Sequence, residues 1–146
     1  YNKQDYIDKA MELIELTGLS GFEDKYPSQL SGGMQQRVSI CRALITDPDI
    51  LLMDEPFGAL DALTREQLNR ELLKIWQNRK KTVIFVTHSV HEAVFLSDKI
   101  FVMSHRPGTV LEAITVDMPR PRNRRDPMFY AITEKILGML GVETDA

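Results

Sequence analysis

Two short apolar runs constrain the fold of this chain more than any other feature. Ile50-Leu51-Leu52-Met53 and the later segment Thr82–Thr87 are continuous rather than alternating. Runs of that kind mark strands covered on both faces, as in a parallel sheet packed between helices. Between them, from about Ala62 to Asn78, apolar residues return at helical spacing, with Leu68, Leu72, Ile75 and Trp76 on the inward side. Strand, crossover helix and second strand predict an α/β fold with a mainly parallel sheet.

Upstream, Ile7, Ala10, Met11 and Ile14 recur at helical spacing beside Leu13, and Gly18 supplies a stop. The stretch 18–30 is turn-rich. Ser31 is an N-cap type residue, and the helix it opens should line Met34, Val38, Cys41 and Ile45 along one face before Asp47-Pro48 ends it. Downstream, a short helix over His91–Leu96, a third strand over Ile100–Met103 and a more exposed, alternating strand over Thr109–Val116 are predicted. A proline- and arginine-rich extended stretch, Pro119–Pro127, leads to a last helix carrying Phe129, Ile132, Ile136 and Leu140. The chain therefore divides into a helical part (1–48), an α/β part (49–118) and an arm with its helix (119–146).

Composition excludes more than it selects. At 146 residues the chain can bury a core of about one domain. A net charge of -3 gives no global argument for nucleic acid or an anionic membrane. The arginines at 120, 122, 124 and 125 read as a solvated, extended arm, because no aromatic interleaves with them to stack on bases. The single cysteine, Cys41, excludes an internal disulfide and suggests a reducing compartment. No apolar run approaches a bilayer's thickness. The opening YNKQDYIDKA has neither an apolar signal core nor an initiating Met, so a soluble cytoplasmic piece of a longer protein is expected.

Three places carry potential chemistry. Asp54 and Glu55 follow the first apolar run, at the end of a strand where open α/β sheets bind ligands. Adjacent acids on a strand point in different directions, so one could serve a metal and the other a water; equally, they could simply end a strand. His88 closes the second run, where an imidazole could bond a phosphate oxygen or serve only structure. Ser31-Gly32-Gly33 opens a helix, as a phosphate-binding end with close backbone approach or as a plain cap. A zinc site has little support, since among Cys41, His88, His91 and His105 only His88 and His91 lie at ligand spacing.

The order and company of these signals carry a resemblance. LSGGMQQR (Leu30–Arg37) resembles the signature motif of ABC transporter ATPases, and ILLMDEP (Ile50–Pro56) their Walker B strand with its glutamate. GALD (Gly58–Asp61) resembles their D-loop, and His88 in VTHS their switch histidine. The resemblance covers nearly the whole chain and implies ATP and Mg²⁺ as cofactors in a partial P-loop NTPase core. Asp54 would hold the metal, Glu55 would polarise the water and His88 would contact the γ-phosphate. Ser31, Gly32, Gly33 and Gln35 would meet an ATP held by a second ATPase subunit, and Asp61 would cross that head-to-tail interface. The signature helix would then lie far from its own Walker B strand.

DEPFGALDALTR, Arg106-Pro107-Gly108 and PRPR at 119–122 look like importers of the nitrate, sulfonate and taurine group. Permease subunits would be partners, a solute-binding protein an indirect one and nucleic acid none; the chain would sit on the inner face of the membrane through the permease. Ser89 departs from the acid usual after the histidine, and Ser39 and Cys41 from alanines. Other readings are a non-transport ABC ATPase acting on DNA or ribosomes, and a non-catalytic docking module. No G-x-x-x-x-G-K-[ST] occurs in these 146 residues. The chain alone is therefore expected to be inactive as an ATPase, and to self-associate through open sheet edges.

Overall fold

A computed structural model describes residues 2–78 and 80–141. Ten elements follow one another: α1 (Lys3–Leu16), a 3₁₀ turn (Pro27–Gln29), α2 (Gly32–Leu44), β1 (Ile50–Asp54), α3 (Ala62–Asn78), β2 (Thr82–Val86), α4 (Val90–Leu96), β3 (Lys99–Met103), β4 (Val110–Thr115) and α5 (Pro127–Met139). They fall into two compact units, Tyr1–Val86 and Thr87–Ala146. No described helix is long and apolar enough to cross a membrane.

In the first unit, β1 and β2 pair in parallel, Ile50 opposite Thr82 through Asp54 opposite Val86. The crossover helix α3 buries Leu68, Leu72 and Ile75, as the helical spacing predicts, and also Leu73; Trp76 is half-buried, its indole donating to Lys81 O at 2.8 Å. Expected burial on both faces of the strands does not hold. Leu51 and Met53 are buried, but Leu52 is 72% exposed and Ile50, Ile84 and Val86 are exposed as well. Successive side chains of a strand point to opposite faces, and the described residues of this unit cover only one.

The first helices also turn differently from the sequence reading. α1 is anchored by Leu13 and Thr17, while Ile7 and Met11 are exposed. α2 buries Ile40 and Leu44, and Met34, Val38, Cys41 and Ile45 are only half-buried. In both cases the apolar residues outnumber the positions facing the core, and tertiary contact chooses the stripe. The ends are as predicted: Gly18 adopts φ 67, the left-handed conformation that ends a helix, and Ser31 caps α2.

In the second unit, β3 and β4 are antiparallel, with an irregularity at Val102/Met103, so among the described residues the parallel arrangement is confined to β1–β2. Ile100, Val102 and Ile114 form the buried face, and Phe129, Thr133 and Ile136 of α5 are also buried. The arginine stretch is not a solvated arm. Arg122 is 5% exposed and donates to the carbonyls of Val94, Ser97, Val116 and Met118. Arg120 bonds Leu96 O and Asp98, and Arg124 lies 4.9 Å from the centre of the Phe95 ring. Burial, with Arg120 adding and Asp98 opposing, pushes the Arg122 guanidinium down to about 10, which leaves it charged at neutral pH. Its forked donors satisfy the last carbonyls of α4, which helix geometry leaves without partners. The last five residues of the predicted arm-and-helix part, 142–146, lie outside the described residues.

Candidate functional site

The start of α2 is built by short-range rules. Ser31 is extended (φ -65, ψ 160), and its Oγ accepts from Met34 N at 3.3 Å. Gly33 answers a packing need. A Cβ placed there would lie 2.8 Å from Thr64 Cγ2 of α3, closer than carbon atoms approach, so the two helices meet only because the side chain is absent. One turn on, Arg37 grips Glu71 of α3 with two bonds of 2.7 Å. This fork pairs geometrically as well as electrostatically and is largely shielded from water. Gln35 turns its amide back onto the preceding turn, donating to Pro27 O at 2.9 Å and Leu30 O at 3.2 Å.

The acid pair leaves the end of β1. Glu55 has φ 46, a conformation an L-residue other than glycine seldom adopts and one that costs about 1 to 3 kcal/mol. Two backbone bonds hold it there: its N–H donates to Val86 O at 2.9 Å, and its carbonyl accepts from Gly58 N at 3.1 Å. Gly58 also leaves room for the carboxylate, since a Cβ there would lie 3.2 Å from Glu55 Oε2. Asp54 and Glu55 are both exposed at this strand end. Asp61 caps α3, accepting from Leu63 N at 3.1 Å and Thr64 N at 3.0 Å. Hydrogen bonds from Thr64, its side chain first, and then Leu63 hold the Asp61 carboxyl below its ordinary value.

These parts share a space. A cavity of about 420 Å³ is lined by Gly32 and Gln35 of α2, by Asp54 and Glu55, and by Leu60 before α3. The signature segment is thus not remote from the acid pair of its own chain. The Gly33–Thr64 contact and the Arg37–Glu71 fork hold α2 against α3, whose chain runs directly on from β1.

His88 belongs to the second unit, where it is exposed between half-buried Thr87 and Ser89. Ser89 caps α4 as Ser31 caps α2, its Oγ accepting from Glu92 N at 3.4 Å. The buried Glu92 accepts from Thr87 Oγ1 at 2.6 Å, and Thr87 Oγ1 accepts from Ser89 N at 3.0 Å. Sequence reasoning passed over Thr87 and Glu92. The signal was there in Ser89-x-x-Glu92, the spacing of a capping box. Gly58 was likewise read only as part of a motif.

Among the described residues no cluster of three or more His, Cys, Asp or Glu could hold a metal ion by itself. The Asp54-Glu55 pair nevertheless suits Mg²⁺ bound with nucleotide, because that ion takes one or two carboxylates and fills its shell with phosphates and water.

Comparison with known proteins bears on these features. Residues 2–58 match the family model described as ABC transporter. Over 138 residues the chain is 57% identical to an uncharacterized ABC transporter ATP-binding protein of Methanocaldococcus jannaschii, covering 94% of this chain and 52% of that protein. It is 49% identical to the aliphatic sulfonates import ATP-binding protein SsuB of Bacillus cereus, covering 92% and 54%. It is 41% identical to the nitrate import ATP-binding protein NrtD of a Synechocystis species, covering 99% and 58%. The chain thus spans little more than half the length of these relatives. Among solved structures, cbiO1 of Clostridium perfringens, part of the ABC transporter complex cbiONQ, superposes with a TM-score of 0.64 at 25% identity, over 69% of this chain and 40% of that one. From the glycine pair of α2 to the acids ending β1, this chain belongs to the ABC transporter ATP-binding family.

Proposed function

We propose that the chain is the signature-and-Walker-B portion of the ATP-hydrolysing subunit of an importer for a small solute of the sulfonate, nitrate or taurine kind. The observation that carries the reading is the Asp54-Glu55 turn: two exposed acids at the end of a parallel strand, the second held at φ 46 with room kept for its carboxylate by Gly58. Backbone strain maintained by specific bonds at a strand end is a mark of function.

On this reading Asp54 holds Mg²⁺, which when bound neutralises phosphate charge. Glu55 orients the attacking water and draws its proton. His88 donates to the γ-phosphate. Ser31, Gly32 and Gly33 present a helix start, with its partial positive charge and no acid in the first turn, to the phosphates of an ATP. Gln35 acts there through the turn whose carbonyls it holds, and Asp61 through the start of α3. A second ATPase subunit supplies the opposing half of each site, permease subunits anchor the assembly on the inner membrane face, and a solute-binding protein acts indirectly. The division into parts at 1–48, 49–118 and 119–146 belongs to the same proposal.

The solute class rests on the sulfonate and nitrate relatives. The reading frame upstream of Tyr1 tests the whole. An in-frame G-x-x-x-x-G-K-[ST], with neighbouring genes for a permease and a solute-binding protein, is the expected result. A start codon immediately before Tyr1 would favour a docking module, and a tandem cassette without permease genes would favour an ATPase acting on DNA or ribosomes.

A further inference from the structure

His88 presents an unusual combination. It is exposed, yet the residues on either side of it are fixed through one buried carboxylate. In a capping box the acid at the third helical position reaches back to the backbone N–H of the cap residue. Here Glu92 stands at that position, but Ser89 N–H donates to Thr87 Oγ1 at 3.0 Å, and the Thr87 hydroxyl passes its own hydrogen on to Glu92 Oε2 at 2.6 Å. A second link runs the other way, from Glu92 N to Ser89 Oγ at 3.4 Å, and the Ser89 carbonyl accepts from Ala93 N at 3.1 Å.

The relay therefore spans His88, joining residue 87 to residue 89 and both to the first turn of α4. Glu92 is 4% exposed. Burying a carboxylate is expensive unless hydrogen bonds satisfy it, and it does so here beside the positive end of a helix. α4 is in turn clamped at its far end, where Arg122 holds Val94 O and Ser97 O at 2.6 Å each and Arg120 holds Leu96 O. A strut fixed at both ends carries two exposed histidines at its start, His91 in the first turn and His88 just before the cap, and the relay encloses His88 alone.

We propose that Glu92, acting through the Thr87 hydroxyl, is a positioning residue for His88. It sets the backbone at 87–89 so that the imidazole projects from the start of α4 in one orientation. What that orientation serves rests on the reading of His88 as the residue that meets the γ-phosphate; the positioning itself does not need ATP to be measured.

The test uses the 146-residue chain and three variants, Thr87→Val, Thr87→Ser and Glu92→Gln, followed by hydrogen exchange and by the carbon and proton resonances of the His88 ring at one fixed pH. Thr87→Val removes both bonds of the relay, so the Ser89 amide should exchange at least about ten-fold faster and the His88 ring resonances should shift or broaden. Thr87→Ser restores the hydroxyl and should return both signals to those of the unaltered chain. Glu92→Gln keeps an acceptor oxygen without the charge and should fall between. The core resonances of Phe129 and Ile136 report whether the second unit stays folded. The proposal is overturned if Thr87→Val leaves Ser89 and His88 unchanged, or if Thr87→Ser behaves like Thr87→Val. Failure of the ATPase reading would show separately, as Mg-ATP turnover indifferent to these variants in a protein carrying the whole ATP-binding domain while the ring signals still respond.

Discussion

The starts of α2 and α4 are the same device put to opposite uses. Each is capped by a serine whose Oγ accepts from the N–H three residues on, at 3.3 Å from Ser31 to Met34 and 3.4 Å from Ser89 to Glu92. After Ser31 come two glycines and no acid in the first turn, and the glycines line a cavity shared with Asp54 and Glu55 or press against α3. After Ser89 comes Glu92, folded back on Thr87 and buried. The positive end of α2 carries no acid of its own in its first turn, whereas that of α4 is occupied by the chain's own carboxylate. A serine cap thus says where a helix begins; the next three residues say whether that beginning is open or closed.

The sharpest way to break the contrast is Glu92→Ala. It removes the buried carboxylate and leaves the Thr87 hydroxyl without its acceptor, at a cost of about 2 kcal/mol in the stability of the second unit. Urea unfolding followed by the Phe129 and Ile136 resonances measures it, and a change under about 0.5 kcal/mol would mean that α4's start is not closed in the way described.

Gly33→Ala comes next. The added Cβ would meet the Thr64 methyl at 2.8 Å, so that side chain must turn or α2 must shift from α3, with a loss of about 1 to 2 kcal/mol confined to the first unit. Thermal unfolding and the Thr64 methyl resonance follow it. Smaller still is Ser31→Asp. Aspartate caps about as well as serine and suits a helix start, so stability should hold or rise by a few tenths of a kcal/mol. The same change puts a negative charge where phosphate would bind, so Mg-ATP affinity in a protein carrying the whole ATP-binding domain should fall steeply. Unchanged affinity would remove the open end of α2 from the site.

The smallest expected effect lies near the far end of α2. Burial pushes the Cys41 thiol above its ordinary value, against the opposing pull of its hydrogen bond with Thr17. A raised value means less thiolate at a given pH, so alkylation should lag behind a free thiol at pH 8 and accelerate only at higher pH. The linkage has the matching sign: the folded state holds this proton more tightly, and its contribution to stability is lost as pH rises through the folded value. Alkylation against pH in native chain and in urea measures both.

What the sequence made legible was local. Ser31 and Gly18 mark helix ends by their own chemistry, and the strand–helix–strand order of residues 50–87 follows from periodicity. Site residues could be named because motif order carries family resemblance, whereas their geometry could not. The inward stripe of α2 passes through Ile40 and Leu44, because packing selects among several apolar residues. Arg122 looked like part of a solvated run because a count of charges does not reveal that four carbonyls converge on one guanidinium. The apolar run of β1 promised two covered faces, and its exposed Ile50 and Leu52 show that periodicity reports which surface is suited to burial, not what covers it. Glu92 differs again: its spacing from Ser89 is visible, but the hydroxyl of Thr87 that joins it to the backbone beside His88 is a matter of side-chain geometry.

Mg-ATP turnover decides whether this chain holds the acid pair and signature end of an ATPase site whose phosphate cradle is a P-loop. The purified 146-residue chain is assayed beside its Glu55→Gln variant, alone and after addition of a polypeptide that supplies the G-x-x-x-x-G-K-[ST] half. The expected result is no difference between the two alone, and turnover with the added half that Glu55→Gln abolishes. Mg-dependent turnover by the chain alone above its Glu55→Gln control, or turnover with the added half that survives Glu55→Gln, would contradict it.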